Sequence, residues 1–203
     1  MQNEALANGR CDLIVVGGWR GSLEALGRIA SALPANFPAA VLAVLHDDPH
    51  THRLIKAVVG RRTPLPIGYA IHGEEVRPGR IYVSPPDHCL TVTMSGTIAL
   101  EPASPGQNSL HLVDRLFQSA GAAYGARVIA VVLTGDGHDG TEGMQSLTVA
   151  GGIRIVQSPA DAVASSMPSS AVLGDHPDFV VLVQDIGNLL MRLVAPASAP
   201  VNP

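Results

Sequence analysis

With 203 residues, 46% of them hydrophobic and only 3% aromatic, the chain is long enough for one domain whose core has to be built from Val, Leu, Ile and Ala. A formal net charge of -4 with scattered Lys and Arg excludes a concentrated basic face, and with it an electrostatic grip on nucleic acid or anionic lipid. The two cysteines, Cys11 and Cys89, lack metal-ligand spacing and fit free thiols in a reducing compartment; with no secretory signal and no membrane-length apolar run, a cytoplasmic protein without membrane insertion is expected.

In chain order, an apolar run over 12–16 ends in Gly17-Gly18, and Leu23, Leu26, Ile29, Ala30 and Leu33 then mark an amphipathic helix from Ser22. A second Val/Leu run over 39–45 leads to His46-Asp47-Asp48-Pro49 and a helix ending near Val59. Short runs at 67–71 and 81–83 precede a predicted hairpin of 90–94 with 97–100, divided by a Ser-Gly turn. After a Pro/Gly/Asn/Ser loop at 102–109, Leu112, Val113, Leu116, Phe117 and Ala120 give a helix of period 3.6. It hands over to the most apolar strand, 128–133, which stops at Thr134-Gly135-Asp136-Gly137-His138-Asp139-Gly140 before a helix through Met144 and Leu147. Runs at 153–156 and 179–183 and a helix through Leu193 complete the pattern. Strands alternating with helices imply an α/β fold: a doubly wound, mainly parallel sheet with helices on both faces and one β-hairpin. A single three-layer domain over 12–194 is expected, between an N-terminal tail at 1–11 and a disordered Pro/Ala/Ser tail at 195–203.

In such a sheet, function gathers at the carboxyl ends of the strands. Three loops there carry unusual chemistry. The glycines of Gly17 to Ser22 suit a nucleophile elbow, a phosphate cradle or a plain tight turn, but neither the Walker nor the dinucleotide glycine pattern is met. His46 directly follows a strand, as a base held by a carboxylate would, or as a histidine satisfied by loop backbone would. His50 and His52, near Asp47 and Asp48, have the wrong spacing to share a helix face, so no metal is expected, nor any other cofactor. Asp139 has two readings, the acid that orients a histidine or the cap of the helix that follows it.

Taken in order, the three loops resemble the catalytic domain of the receptor methylesterases (CheB) over roughly residues 13–193. The longest piece is Leu133-Thr134-Gly135-Asp136-Gly137-His138-Asp139-Gly140-Thr141-Glu142-Gly143-Met144, joined by Pro78-Gly79, 81–85, Val113-Asp114, Leu116-Phe117 and Met167-Pro168. The resemblance implies hydrolysis of glutamyl methyl esters and deamidation of glutamines on chemoreceptors by a Ser-His-Asp triad, in chemotaxis signalling. Carried over by position, His46 matches the base and Asp139 the orienting acid. The serine position holds Trp19, within Gly17-Gly18-Trp19-Arg20-Gly21-Ser22. An indole has no nucleophilic oxygen, and loss of a triad serine costs on the order of 10⁶ in turnover. Ser22, three residues on, is the one nearby substitute nucleophile. The oxyanion-hole region would comprise Arg20 and Asp136, and the Asp136 carboxylate there opposes a developing oxyanion. Asn108 to Asp114 departs from the Arg-rich Pro-Ser-Val-Asp approach of that family, and no amino-terminal receiver domain is expected.

Two functional readings follow. One is a standalone methylesterase-type hydrolase with a degenerate triad, acting on a methylated chemoreceptor. The other is a catalytically dead binding module that recognises a receptor or another signalling protein. A nucleotide-binding domain rests on the glycine turn alone.

Overall fold

The structure, a computed structural model, describes residues 11–45, 54–103 and 111–194. Seven strands form one parallel sheet: β1 (Leu13–Gly18), β2 (Ala40–Leu45), β3 (Ile67–Tyr69), β4 (Ile81–Val83), β7 (Val128–Val132), β8 (Ile153–Gln157) and β9 (Phe179–Val181), in the order β3-β4-β2-β1-β7-β8-β9. The remaining strands, β5 (His88–Val92) and β6 (Ile98–Pro102), make an antiparallel hairpin of their own. The helices are α1 (Ser22–Ser31), α2 (Ile55–Val58), α3 (Leu112–Tyr124), α4 (Thr141–Ala150), α5 (Ser166–Asp175) and α6 (Val183–Val194), with a 3₁₀ turn at Gly125–Arg127.

The three central strands are buried on both faces, which is why they read as unbroken apolar runs rather than alternating ones. The pleat still sorts their side chains. Ile14 and Val16 of β1, Val41 and Ala43 of β2, and Ile129 and Val131 of β7 face α1 and α6; their neighbours Leu13, Val15, Leu42, Val128 and Ala130 face α3, α4, α5 and the hairpin. The parallel register, Leu13 opposite both Ala40 and Val128, keeps those faces aligned. Each fully buried Val, Leu or Ile is worth about 1.5–3 kcal/mol, so two such layers are the main source of stability.

The doubly wound sheet, the helices on both faces and the hairpin agree with the sequence expectation. Two local differences have physical causes. The segment 166–175 is a helix although it shows no apolar stripe: only Met167, Pro168 and Ala171 are buried, and Pro168 falls in the first turn, where a missing N–H costs nothing. The last strand stops at Val181 rather than 183, because the Val183 N–H donates to Asp161 Oδ2 at 2.7 Å and starts α6 instead.

Candidate functional site

The order of strands reverses between β1 and β7, so the crevice at their carboxyl ends is the topological switch point where such sheets bind ligands. Trp19, Arg20 and Gly21 turn the chain from β1 into α1, with Gly21 at φ +85° as the residue before the first helical turn. The turn is pinned to the loop after β7. Trp19 N–H donates to Thr134 O at 3.0 Å, and Thr134 Oγ1 lies 3.0 Å from Arg20 O and 2.9 Å from Ala164 N. Gly135 is tightly enclosed: a Cβ there would lie 2.2 Å from Met167 Sδ and 2.8 Å from Trp19 N. Thr134 is in turn held by the buried Gln157, whose Oε1 accepts the Thr134 N–H at 2.8 Å.

Within this frame the two serine-position candidates differ in access. Trp19 is 40% exposed and so reaches solvent. Ser22 is 0% exposed and its hydroxyl has no hydrogen-bond partner among the described residues. Its Cβ packs over Gly18, where an added Cβ would come within 2.6 Å. Trp19 precedes α1 rather than lying on it, so Ser22 is tucked beneath the turn, its N–H donating to Trp19 O at 2.7 Å. Arg20 and Asp136 meet at the mouth: one guanidinium nitrogen lies 3.4 Å from Asp136 Oδ1, with both side chains largely in solvent.

Asp139 caps a helix, but not the one that follows it. Its Oδ2 accepts Val113 N–H at 3.0 Å and its Oδ1 accepts Asp114 N–H at 2.9 Å, which are the first-turn donors of α3. Asp114 returns the service across the gap: its Oδ1 accepts Gly140 N–H at 2.9 Å and Gly143 N–H at 2.8 Å at the start of α4. Gly140 makes the exchange possible, since φ +95° swings the backbone from Asp139 into α4. The two buried carboxylates thus stitch α3 and α4 together by their N-termini. Burial pushes the Asp114 carboxyl above the usual carboxylate range and the Asp139 charge adds to this, while the Gly143 N–H and the His111 ring pull the other way.

His111 Nδ1 stands 3.2 Å from Asp114 Oδ2, and the His138 ring lies 6.1 Å from that of His111, centroid to centroid. His111, Asp114 and Asp139 together present ligand-type atoms within 4.8 Å of one another. These oxygens accept from four backbone N–H groups and lie beside a ring nitrogen, so the cluster caps both helices. His46, Asp47, Asp48, His50 and His52 lie outside the described residues, as do Asn108 to Leu110; Leu45, which immediately precedes His46, ends β2 opposite Gly18. Sequence reasoning did not single out Asp114, Thr134 or Gln157 as site residues. The signal for Asp114 was a lone acid within the apolar helical face Leu112, Val113, Leu116, Phe117.

The CheB methylesterase family model matches residues 14–190. The chain belongs to the CheB methylesterase family. It is 32% identical over 176 residues to protein-glutamate methylesterase/protein-glutamine glutaminase 3 of Geobacter sulfurreducens, covering 85% of this chain and 47% of that one. To protein-glutamate methylesterase/protein-glutamine glutaminase 1 of Syntrophus aciditrophicus it is 33% identical over 187 residues, covering 91% of this chain and 53% of the relative. The chain therefore spans about half the length of these two curated relatives (47% and 53%). Among solved structures, the catalytic domain of the Thermotoga maritima CheB methylesterase superposes with a TM-score of 0.83 at 30% identity, over 90% of this chain and 98% of that one. Among the described residues no helix is long and apolar enough to cross a membrane.

Proposed function

We propose that this CheB-family domain is a non-hydrolysing recognition module for a glutamyl-bearing signalling protein, a chemoreceptor being the partner that family membership supports. One observation carries the reading: the turn where the resemblance places the family's serine holds a partly exposed Trp19, and the hydroxyl of the nearest serine along the chain, Ser22 Oγ, is buried with no hydrogen-bond partner among the described residues. A nucleophile must touch both an acyl carbonyl and a base. Ser22 could do so only if the Trp19 turn opened, and that turn is anchored to Thr134 on both sides of Trp19. Residual catalysis of about 10³ to 10⁴ over water is all that a triad without its serine retains elsewhere. His46 as base and Asp139 as its orienter belong to the competing hydrolase reading, which family membership favours and which needs Ser22 to be reached.

A serine-directed fluorophosphonate separates the two. The module reading expects no adduct after exposure of the folded chain, and methylated receptor fragment incubated with it keeps its methyl esters; a peptide carrying the phosphonyl group on Ser22, lost in His46→Ala, overturns it.

A further inference from the structure

Resting on that module reading, we infer that the crevice mouth recognises the free γ-carboxylate of a protein-borne glutamate, discriminating against its methyl ester and against glutamine. Arg20 is the carboxylate receptor, Asp136 its competing internal anion, and Trp19 with Val163 the apolar rim.

Arg20 is not needed to shape its own loop. The backbone of its turn is already fixed by Trp19 N–H to Thr134 O and by Thr134 Oγ1 to Arg20 O, so the guanidinium adds nothing to the shape of the loop. A guanidinium carries five N–H donors. Among the described residues only one of its nitrogens has a partner, Asp136 Oδ1 at 3.4 Å, longer than a charge-assisted bond should be. With side chains 64% and 48% exposed, such a pair contributes little, and a carboxylate able to make the bidentate contact would displace it.

The surroundings suit a glutamate on a helix better than a free ion. Trp19, 40% exposed, precedes Arg20, and Val163, 72% exposed, lies against Gly21 that follows it, so two exposed apolar side chains belong to the turn that carries the cation. Methylenes of a glutamyl side chain and its apolar helix neighbours can cover that rim while the carboxylate reaches Arg20. An ester or a primary amide presents no charge to the guanidinium, and Asp136 then keeps it.

Trp19 is the only tryptophan of the chain, so its fluorescence reports occupancy of this site directly. The probes are three forms of one amphipathic Ala/Leu/Lys peptide of about 20 residues, long enough to hold a helix in water, with a central Glu, its γ-methyl ester, or Gln, and free glutamate as a fourth titrant. The wild-type chain is expected to bind the Glu form about tenfold more tightly than the other two, equivalent to about 1.4 kcal/mol. Arg20→Gln erases that preference while the ester and Gln peptides bind as before, and Asp136→Asn raises affinity for the Glu form several-fold. Free glutamate produces no fluorescence change at concentrations that saturate the Glu peptide. Equal affinity for all three peptides, or a preference that survives Arg20→Gln, overturns the carboxylate assignment and leaves the module reading standing. Free glutamate binding as tightly as the Glu peptide overturns the protein-borne source. No binding of any peptide overturns assignment and module together, whereas Ser22-dependent ester cleavage overturns the module alone.

Discussion

Replacing Asp139 by Ala removes the acceptor for two buried N–H groups, those of Val113 at 3.0 Å and Asp114 at 2.9 Å, both in the first turn of α3. The residue before α3, His111, makes no side-chain cap that could take over these donors. An unmade hydrogen bond at a buried donor costs about 1–3 kcal/mol, so two cost about 2–6 kcal/mol, offset slightly by relief of the like charge on Asp114. A net loss of about 3 kcal/mol lowers Tm by roughly 6–12 °C for a domain of this size. Asp139→Asn keeps one acceptor and forfeits the other, so it should lose about half as much. Urea unfolding followed by far-UV circular dichroism measures both. A loss below about 0.5 kcal/mol for Asp139→Ala, the range of an ordinary surface substitution, would refute the view that this residue holds α3 and α4 together.

Three further outcomes follow from the same geometry. Ser22→Ala deletes a buried hydroxyl that has no partner among the described residues, so stability should stay level or rise by about 1 kcal/mol, and a loss above about 1 kcal/mol would mean that the hydroxyl is satisfied in solution. Gly143→Ala places a Cβ 2.6 Å from Phe117 Cβ and 3.1 Å from Asp114 Cα, which forces α3 and α4 apart at a cost of about 1–3 kcal/mol by the same denaturation assay. The Asp114 carboxyl, raised in the folded state by burial, binds its proton more tightly there than in the unfolded chain; its contribution is therefore greatest at acid pH and is lost as pH rises through the raised value. The stability of Asp114→Asn relative to wild type should accordingly grow from pH 4 toward pH 7 (about the span above an ordinary carboxylate), and a difference that shrinks over that range would contradict the sign.

The sheet was legible because buried parallel strands leave a plain trace: 13–16, 40–45 and 128–133 are apolar without interruption, and the glycine-bearing loops that follow two of them mark the crevice. Helix α5 was not, since Pro168 and three buried residues in ten give no periodic signal; tertiary contacts decide it. At the site, the sequence pointed to Trp19, Arg20, Ser22, Asp136 and Asp139, and the first four lie together where β1 and β7 end. What it could not supply was accessibility, which separates Trp19 from Ser22, and partnership across distance. Asp139 caps a helix that begins 27 residues before it (139 against Leu112), and no local pattern announces that exchange with Asp114.

Whether this domain hydrolyses or only recognises is decided by chemistry at the β1–α1 turn. Methanol release from methylated chemoreceptor, followed with enzyme in excess over ester so that a single turnover is visible, addresses it most directly. The proposed recognition module releases methanol no faster than buffer, with Ser22→Ala and His46→Ala indistinguishable from wild type. Release well above buffer that both substitutions abolish would show a working nucleophile at Ser22 and contradict the proposal that this family member recognises without hydrolysing.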